Sequence, residues 1–344
     1  KLLTEVISEV QEFIRKNEDS SSVSLRDVNR FKQVFSWFKK SLSERPEPLG
    51  RKKFSYWKKG SSKLKDPKKR TIRAIVLALT HCYIYRFSSK TTRKELIDKC
   101  VEVMKENGLK LSDKKFKKYC NDEQEDYLYR MNLPKGIALN SALKENVFTA
   151  LVCIVNKIPC FICGKPGCSK TLTVQLLSTN LRGVDSIEPF FRTLPEVYVI
   201  TFQGSESSTS EGIEKAFEKA RALLAKNADR LILPLVVFDE MGLAELSPNN
   251  PLKVLHSLLE PDKAEVAFVG ISNWRLDASK MNRVVFLARP DPDLEDLELT
   301  AISIHQSYTE QLNSENLDLM KYLAQAYSRY KADVSEKNKA LADF

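Results

Sequence analysis

The hydrophobic positions of this chain change period part-way along it. Leu3, Val6, Ile7, Val10, Phe13 and Ile14 recur at helical spacing. Val28, Phe31, Val34, Phe35 and Phe38 do so again after the polar stretch 17–22, with Ser24 placed to cap that second helix. Thr71–Phe87 and Lys90–Asn107 predict two further helices, the latter stopped by Gly108. Ser112–Arg130 is charged and expected to be exposed, and Pro134–Lys157 reads as one long helix. From Ile158 onward the pattern shifts to short β-branched runs: 158–163, 197–202, 231–238, 266–272 and 284–287. Helical patterns fall between them at 172–177, 211–226 and 248–259. This alternation predicts an α/β fold, a parallel sheet between helices, preceded by an α-helical region. Residues 291–298 read as an acidic joint and 300–341 as helical again, and no internal repeat is present.

Composition narrows this picture. The chain has 344 residues, 42% hydrophobic and 29% charged, enough for two or three globular units. The expected units are 1–130, 131–299 and 300–344. The N-terminal run is amphipathic and charged, unlike a signal peptide. The longest apolar run, near 72–84, is broken by Thr80 and His81 and falls short of a membrane span. Seven cysteines, an odd number, fit no disulfide or zinc spacing and are expected to be inert buried thiols in a reducing cytosol or nucleus. The net charge of +10 is uneven: +14 over residues 1–130 and −4 beyond. Much of the excess lies in 39–73, where Phe54, Tyr56 and Trp57 are interleaved with lysines and arginines. That tract reads as a solvated linker, with nucleic-acid or anionic lipid-surface binding as the alternative.

Candidate chemistry starts where the first strand ends. Gly164, Lys165, Pro166, Gly167, Cys168, Ser169, Lys170 and Thr171 run into a helix at Leu172. Strand, glycine loop, Lys-Thr and helix make a phosphate-binding loop. Its backbone N–H groups and helix dipole attract polyphosphate. Lys170 is expected to reach the β- and γ-phosphates of ATP or ADP, and Thr171 to hold Mg²⁺. Ser169 stands where glycine is usual, at a point where backbone angles matter. A second strand, Leu235–Phe238, ends in Asp239 and Glu240. Asp239 is expected at the metal and Glu240 as general base toward water. Asn273, ending the next strand, can position that water. Arg283 follows ten residues later and is placed to act on a neighbouring subunit or module, with Lys280 as a competing candidate.

These residues together resemble the large subdomain of an AAA+ ATPase. The resemblance extends to the giant, dynein-like AAA+ ubiquitin ligases. It is carried by Ser24-Leu25-Arg26-Asp27-Val28, Leu143-Lys144-Glu145-Asn146-Val147-Phe148, Gly164-Lys165-Pro166-Gly167, Ser208-Thr209-Ser210-Glu211-Gly212-Ile213, Asp239-Glu240-Met241-Gly242-Leu243-Ala244-Glu245, and Gly270-Ile271-Ser272-Asn273-Trp274 with Lys280-Met281-Asn282-Arg283. It covers roughly 1–40 and 135–344, and within it a serine before the loop lysine is ordinary. The resemblance implies that 1–130 is the lid of a preceding AAA module plus a basic linker. It makes 131–299 a large P-loop subdomain and 300–344 the start of its own lid. Arg26 is then a nucleotide sensor for a loop outside this chain, and Arg283 acts on the same neighbour. The implied partners are neighbouring AAA modules of the same chain, a ubiquitin-conjugating enzyme and ubiquitylation substrates. The implied location is cytoplasmic, including the lipid droplet surface.

Two functional classes stay open beside an ATP-hydrolysing module that drives a ligase. One is a scaffold that binds nucleotide without hydrolysing it. The other is a basic segment that binds nucleic acid or lipid, although no nucleic-acid recognition motif accompanies the charge.

Overall fold

The computed structural model describes residues 2–49, 66–260, 265–309 and 314–337. The middle of the basic tract, 50–65, with Phe54, Tyr56 and Trp57, lies outside the described residues.

Two helices open the chain. Helix α1 spans Leu2–Asn17 and α2 spans Leu25–Glu44. Ser24 caps α2 by accepting from the Arg26 amide, while Asp27 accepts from the Ser24 amide at 2.8 Å. Helix α3, Pro67–Leu79, starts earlier than its apolar pattern indicated. Asp66 caps it and Pro67 fills a first-turn position where no amide is needed. It also ends earlier, because Thr80–Ile84 form a π turn. Helix α4 spans Lys90–Glu106, and Gly108 follows at φ +79°.

Helix α5, Asp113–Arg130, corrects the expectation of an exposed charged segment. Phe116, Tyr127 and Leu128 are buried, and so are Glu123, Asp126 and Arg130. Arg45 donates to Glu123 at 2.5 Å and to Asp126 at 2.8 Å. Arg73 donates to Glu123 at 3.0 Å, and Arg130 bridges Asp126 and Glu188 at 2.9 and 2.7 Å. Burial pushes the Glu123 carboxyl up, but Arg45 and Arg73 overcome that and hold it below the usual range. Two arginines of the basic tract, Arg45 and Arg73, are therefore interior groups.

Helix α6 spans Ser141–Val155, shorter than the expected 134–157, because Asn140 caps it. The five strands match their apolar runs closely: β1 Cys160–Cys163, β2 Glu196–Gln203, β3 Ile232–Asp239, β4 Ala267–Ser272 and β5 Val285–Ala288. They form one parallel sheet in the order β2-β3-β4-β1-β5. Helix α7, Lys170–Asn180, follows β1, and the short α8, Pro189–Arg192, precedes β2. Helix α9 is Ser210–Lys226 and α10 is Met241–Glu245. The expected helix 248–259 is a 3-10 turn, Pro251–Val254, and a single turn, α11, Leu255–Leu258. After α12, Ala278–Met281, and β5, helix α13 spans Leu294–Tyr308 and α14 spans Ser314–Lys337. Asp293 caps α13, so most of the acidic joint, from Leu294 on, is helix.

The sheet has two apolar faces, each with its own core. One core runs unbroken from Val6, Phe31 and Leu77 through Val147 and Phe148 to Ile162, Ile271 and Leu287. The other packs Phe161, Phe238, Phe268 and Phe286 against Ile213 and Phe217 of α9. The early helices thus cover one face of the sheet.

Removing one partner from a buried ion network leaves an uncompensated charge. Glu123→Gln is expected to cost about 3–5 kcal/mol, read from urea unfolding. His81 gives a pH signature. It is fully buried, and burial lowers its pKa from 6.5 to about 3. Between those values the unfolded chain binds the extra proton, so stability falls as pH drops. This one group should make unfolding about 2 kcal/mol easier at pH 5 than at pH 7, and His81→Phe should remove that share of the difference.

Candidate functional site

Strand β1 lies between β4 and β5, and the loop 164–169 leaves its carboxyl end. There the backbone is pinned to both neighbours: Gly164 N–H donates to the Ser272 carbonyl at 3.2 Å, and Arg289 N–H donates to the Cys163 carbonyl at 2.7 Å. A Cβ on Gly164 would lie 2.5 Å from the Arg289 Cβ, so glycine is required by packing. Gly167 is required by its angle, φ +85°, with open space around it. Ser169 adopts a left-handed conformation, φ 55°, immediately before α7. This is the conformation that suits glycine, and a side chain there costs about 1–2 kcal/mol.

Lys170 is largely buried, and its ammonium organises the loop. It donates to the Gly164 carbonyl at 2.5 Å, the Lys165 carbonyl at 3.0 Å and the Asn273 Oδ1 at 2.9 Å. Burial lowers the Lys170 pKa, and the neighbouring Cys168, Cys163, Glu240 and Asp239 only partly offset that. Asn273 turns its amide to the other partner, Glu240, at 3.2 and 3.3 Å. Thr171 Oγ1 donates to Asp239 Oδ2 at 3.5 Å, and Asp239 Oδ1 accepts from the Glu240 amide at 2.9 Å. Glu240 is also left-handed, φ 48°, and its carbonyl lies 2.3 Å from where a Cβ on Gly204 would sit. Lys170, Thr171, Asp239, Glu240 and Asn273 are thus brought to one crevice.

Cys168 and Pro166 do not offer chemistry. The Cys163 thiol is pushed up to about 11 by burial and the Cys168 thiol upward by the same cause, so neither is a nucleophile. All seven cysteines are free and buried. Leu172 is half-buried on α7.

Arg283 is placed elsewhere. It donates to the His256 carbonyl at 3.2 Å. Burial lowers the His256 pKa, and Arg283, Lys280, Lys253 and Arg26 lower it further. Arg26 is exposed at the first turn of α2. Lys280 is held by Glu245 at 2.7 Å.

Several residues at the loop were given no role there by the sequence. Asn146 of α6 donates to the Cys168 carbonyl at 2.8 Å. A cavity of about 520 Å³ lies beside Lys165, Pro166, Gly167 and Cys168. Its opposite wall is Tyr327, Tyr330 and Lys331 of α14, with Asp296 of α13. Asp296 accepts from the Ser141 amide and hydroxyl at 2.7 and 2.6 Å, tying α13 to α6. Asp291 links Lys165 at 3.5 Å to Lys331 at 3.1 Å. Asn140-Ser141 is recognisable as a helix cap, but nothing local marks Asp296 or the tyrosines as neighbours of the loop.

A parallel sheet with a phosphate loop after β1, acidic residues ending β3, an asparagine ending β4 and a helical pair after β5 defines an AAA module. Residues 136–296 match the family described as the RNF213 AAA domain. The chain is 37% identical over 318 residues to the E3 ubiquitin-protein ligase RNF213 of Homo sapiens, and 36% over 318 to that of Mus musculus. It is 37% identical over 317 residues to the E3 ubiquitin-protein ligase rnf213-beta of Danio rerio. Each match covers 89% of this chain and 6% of the relative. Residues 136–296 belong to the RNF213 AAA domain family, and the chain spans about 6% of the length of these relatives. Among the described residues no helix is long and apolar enough to cross a membrane.

The two glycines make a paired test of the loop. Gly164→Ala forces Arg289 aside and should destabilise by about 1–3 kcal/mol. Gly167→Ala meets no atom and should lose only the backbone term, about 1–2 kcal/mol. Urea midpoints of both variants read the two causes separately.

Proposed function

We propose that this module binds ATP with Mg²⁺ and hydrolyses it. The observation that carries this is the chain of contacts from Lys170 through Asn273 to Glu240. The loop presents backbone N–H groups at a helix start, and Gly167 leaves its backbone open to approach. Hard oxygen donors, the Thr171 hydroxyl and the Asp239 carboxylate, stand together and suit Mg²⁺, which dehydrates reluctantly and accepts few protein ligands. When bound, that ion neutralises charge on the phosphate oxygens. Lys170 holds the phosphates as a point charge. Glu240 takes the proton from water, and Asn273 fixes the direction of its carboxylate. The cavity between the loop and α14 offers the nucleoside two tyrosine rings and the carboxylates of Asp291 and Asp296.

Arg26 and Arg283 serve a neighbouring module's nucleotide: the Arg283 guanidinium is turned to the His256 carbonyl, and Arg26 is exposed on α2. Residues 1–130 then belong to the lid of that neighbour, and the helical pair from Leu294 begins the lid of this module. By kinship with proteins named E3 ubiquitin-protein ligases, the module couples nucleotide state to ubiquitin transfer carried out elsewhere in a longer protein. A ubiquitin-conjugating enzyme and ubiquitylation substrates are partners of that whole protein, in the cytoplasm and at lipid droplets.

Full-length protein carrying Glu240→Gln should keep nucleotide at this loop while turnover there drops by about 10²–10⁴. Lys170→Ala should lose the nucleotide itself. Unchanged ATP retained at the wild-type loop after long incubation would instead make the module a nucleotide-binding scaffold.

A further inference from the structure

The early helices reach the phosphate loop itself. The segment after the π turn lies along β5, where Ala288 N–H donates to the Tyr85 carbonyl at 2.9 Å. Arg93, in the first turns of α4, is fixed to the same edge. It donates to the Ala288 carbonyl at 2.6 Å and the Phe87 carbonyl at 2.5 Å. Its remaining arm donates to Glu145 Oε2 at 2.9 Å. That same oxygen accepts from Arg289. The Arg289 side chain is 1% exposed, and its Cβ is the atom that leaves no room for a side chain on Gly164. One carboxylate oxygen therefore joins an arginine of the helical unit to the arginine that walls the first residue of the loop. The next residue, Asn146, holds the Cys168 carbonyl near the other end of the loop. Consecutive positions on α6 thus grip both ends of it.

We infer that Glu145 is a positioning residue that couples the seating of the preceding helical unit to nucleotide binding at the Lys170 loop. The inference rests on the nucleotide-binding role proposed above. Two guanidinium groups depend on one largely buried carboxylate, and withdrawing either changes the charge balance on the other. Pulling Arg93 away from β5 frees Glu145, which frees Arg289 to leave Gly164. Phosphate ordering the loop has the reverse effect: it fixes Gly164, hence Arg289, hence the Arg93 contact. Such linkage is reciprocal, so each event strengthens the other by the same factor.

Hydrogen exchange of the full-length protein, with and without a non-hydrolysable ATP analogue and Mg²⁺, tests this. The analogue should slow exchange at residues 85–97 as well as at 164–171 in the wild type. Lys170→Ala should abolish both effects, which excludes nucleotide bound at other loops. Glu145→Gln should weaken binding at this loop about tenfold and remove the protection of 85–97. Should Glu145→Gln fail to fold, Arg93→Lys gives the same reading, with protection retained at 164–171 and lost at 85–97. Absence of protection at 164–171 in the wild type overturns the nucleotide-binding role. Protection confined to 164–171 in the wild type overturns the coupling alone. Full protection of 85–97 in both variants shows that coupling does not pass through Glu145.

Discussion

One ammonium group sets the geometry of the crevice. Lys170 sits inside its own loop, bonded to two backbone carbonyls and to the Asn273 side chain. Those bonds offset the cost of burying the charge and fix the curvature of the loop. They also select the Asn273 amide orientation, and that amide in turn faces the Glu240 carboxylate. Ser169 and Glu240 both sit in left-handed backbone conformations on either side of this chain of contacts. Strain of this kind persists only where the surroundings over-determine it. Here the sheet register, the Gly164–Arg289 contact and the Gly204–Glu240 contact do so.

The helices before Asn132 are part of the same body of structure. Their apolar stripes continue into the core on one face of the sheet. Segment 85–87 and Arg93 occupy the hydrogen-bonding edge of β5, which would otherwise be open for pairing. The buried ion network adds a second tie, because Glu188, at the start of α8, accepts from Arg130 and from the Leu49 amide. Whatever moves the helical unit must act on the sheet edge and on the connection that follows the phosphate-loop helix.

The site was legible to different depths. The glycines, Lys-Thr and the Asp-Glu pair stand next to the turns that use them, so local pattern was enough to find them. Ser169 looked like a departure, yet the structure puts it in the glycine-like conformation that the loop needs. Asn146, Asp296, Tyr327 and Tyr330 were given no role at the loop by local pattern, since each reaches it from another element. Helix α5 was misread for the same reason. Its Glu123 and Asp126 look like solvated charges until Arg45, about eighty residues earlier, is folded against them.

The sequence by itself determined the α/β class, the five strands, the glycine loop with its Lys-Thr and the acidic pair at the end of β3, because periodicity and turn chemistry act between near neighbours. Only the tertiary structure decided which charges are buried, which arginines face the phosphate loop and which face away from it, and what walls the cavity beside it. Those outcomes depend on residues far apart in the chain meeting where water is excluded, and there pairing, not hydropathy, decides what a charged side chain does.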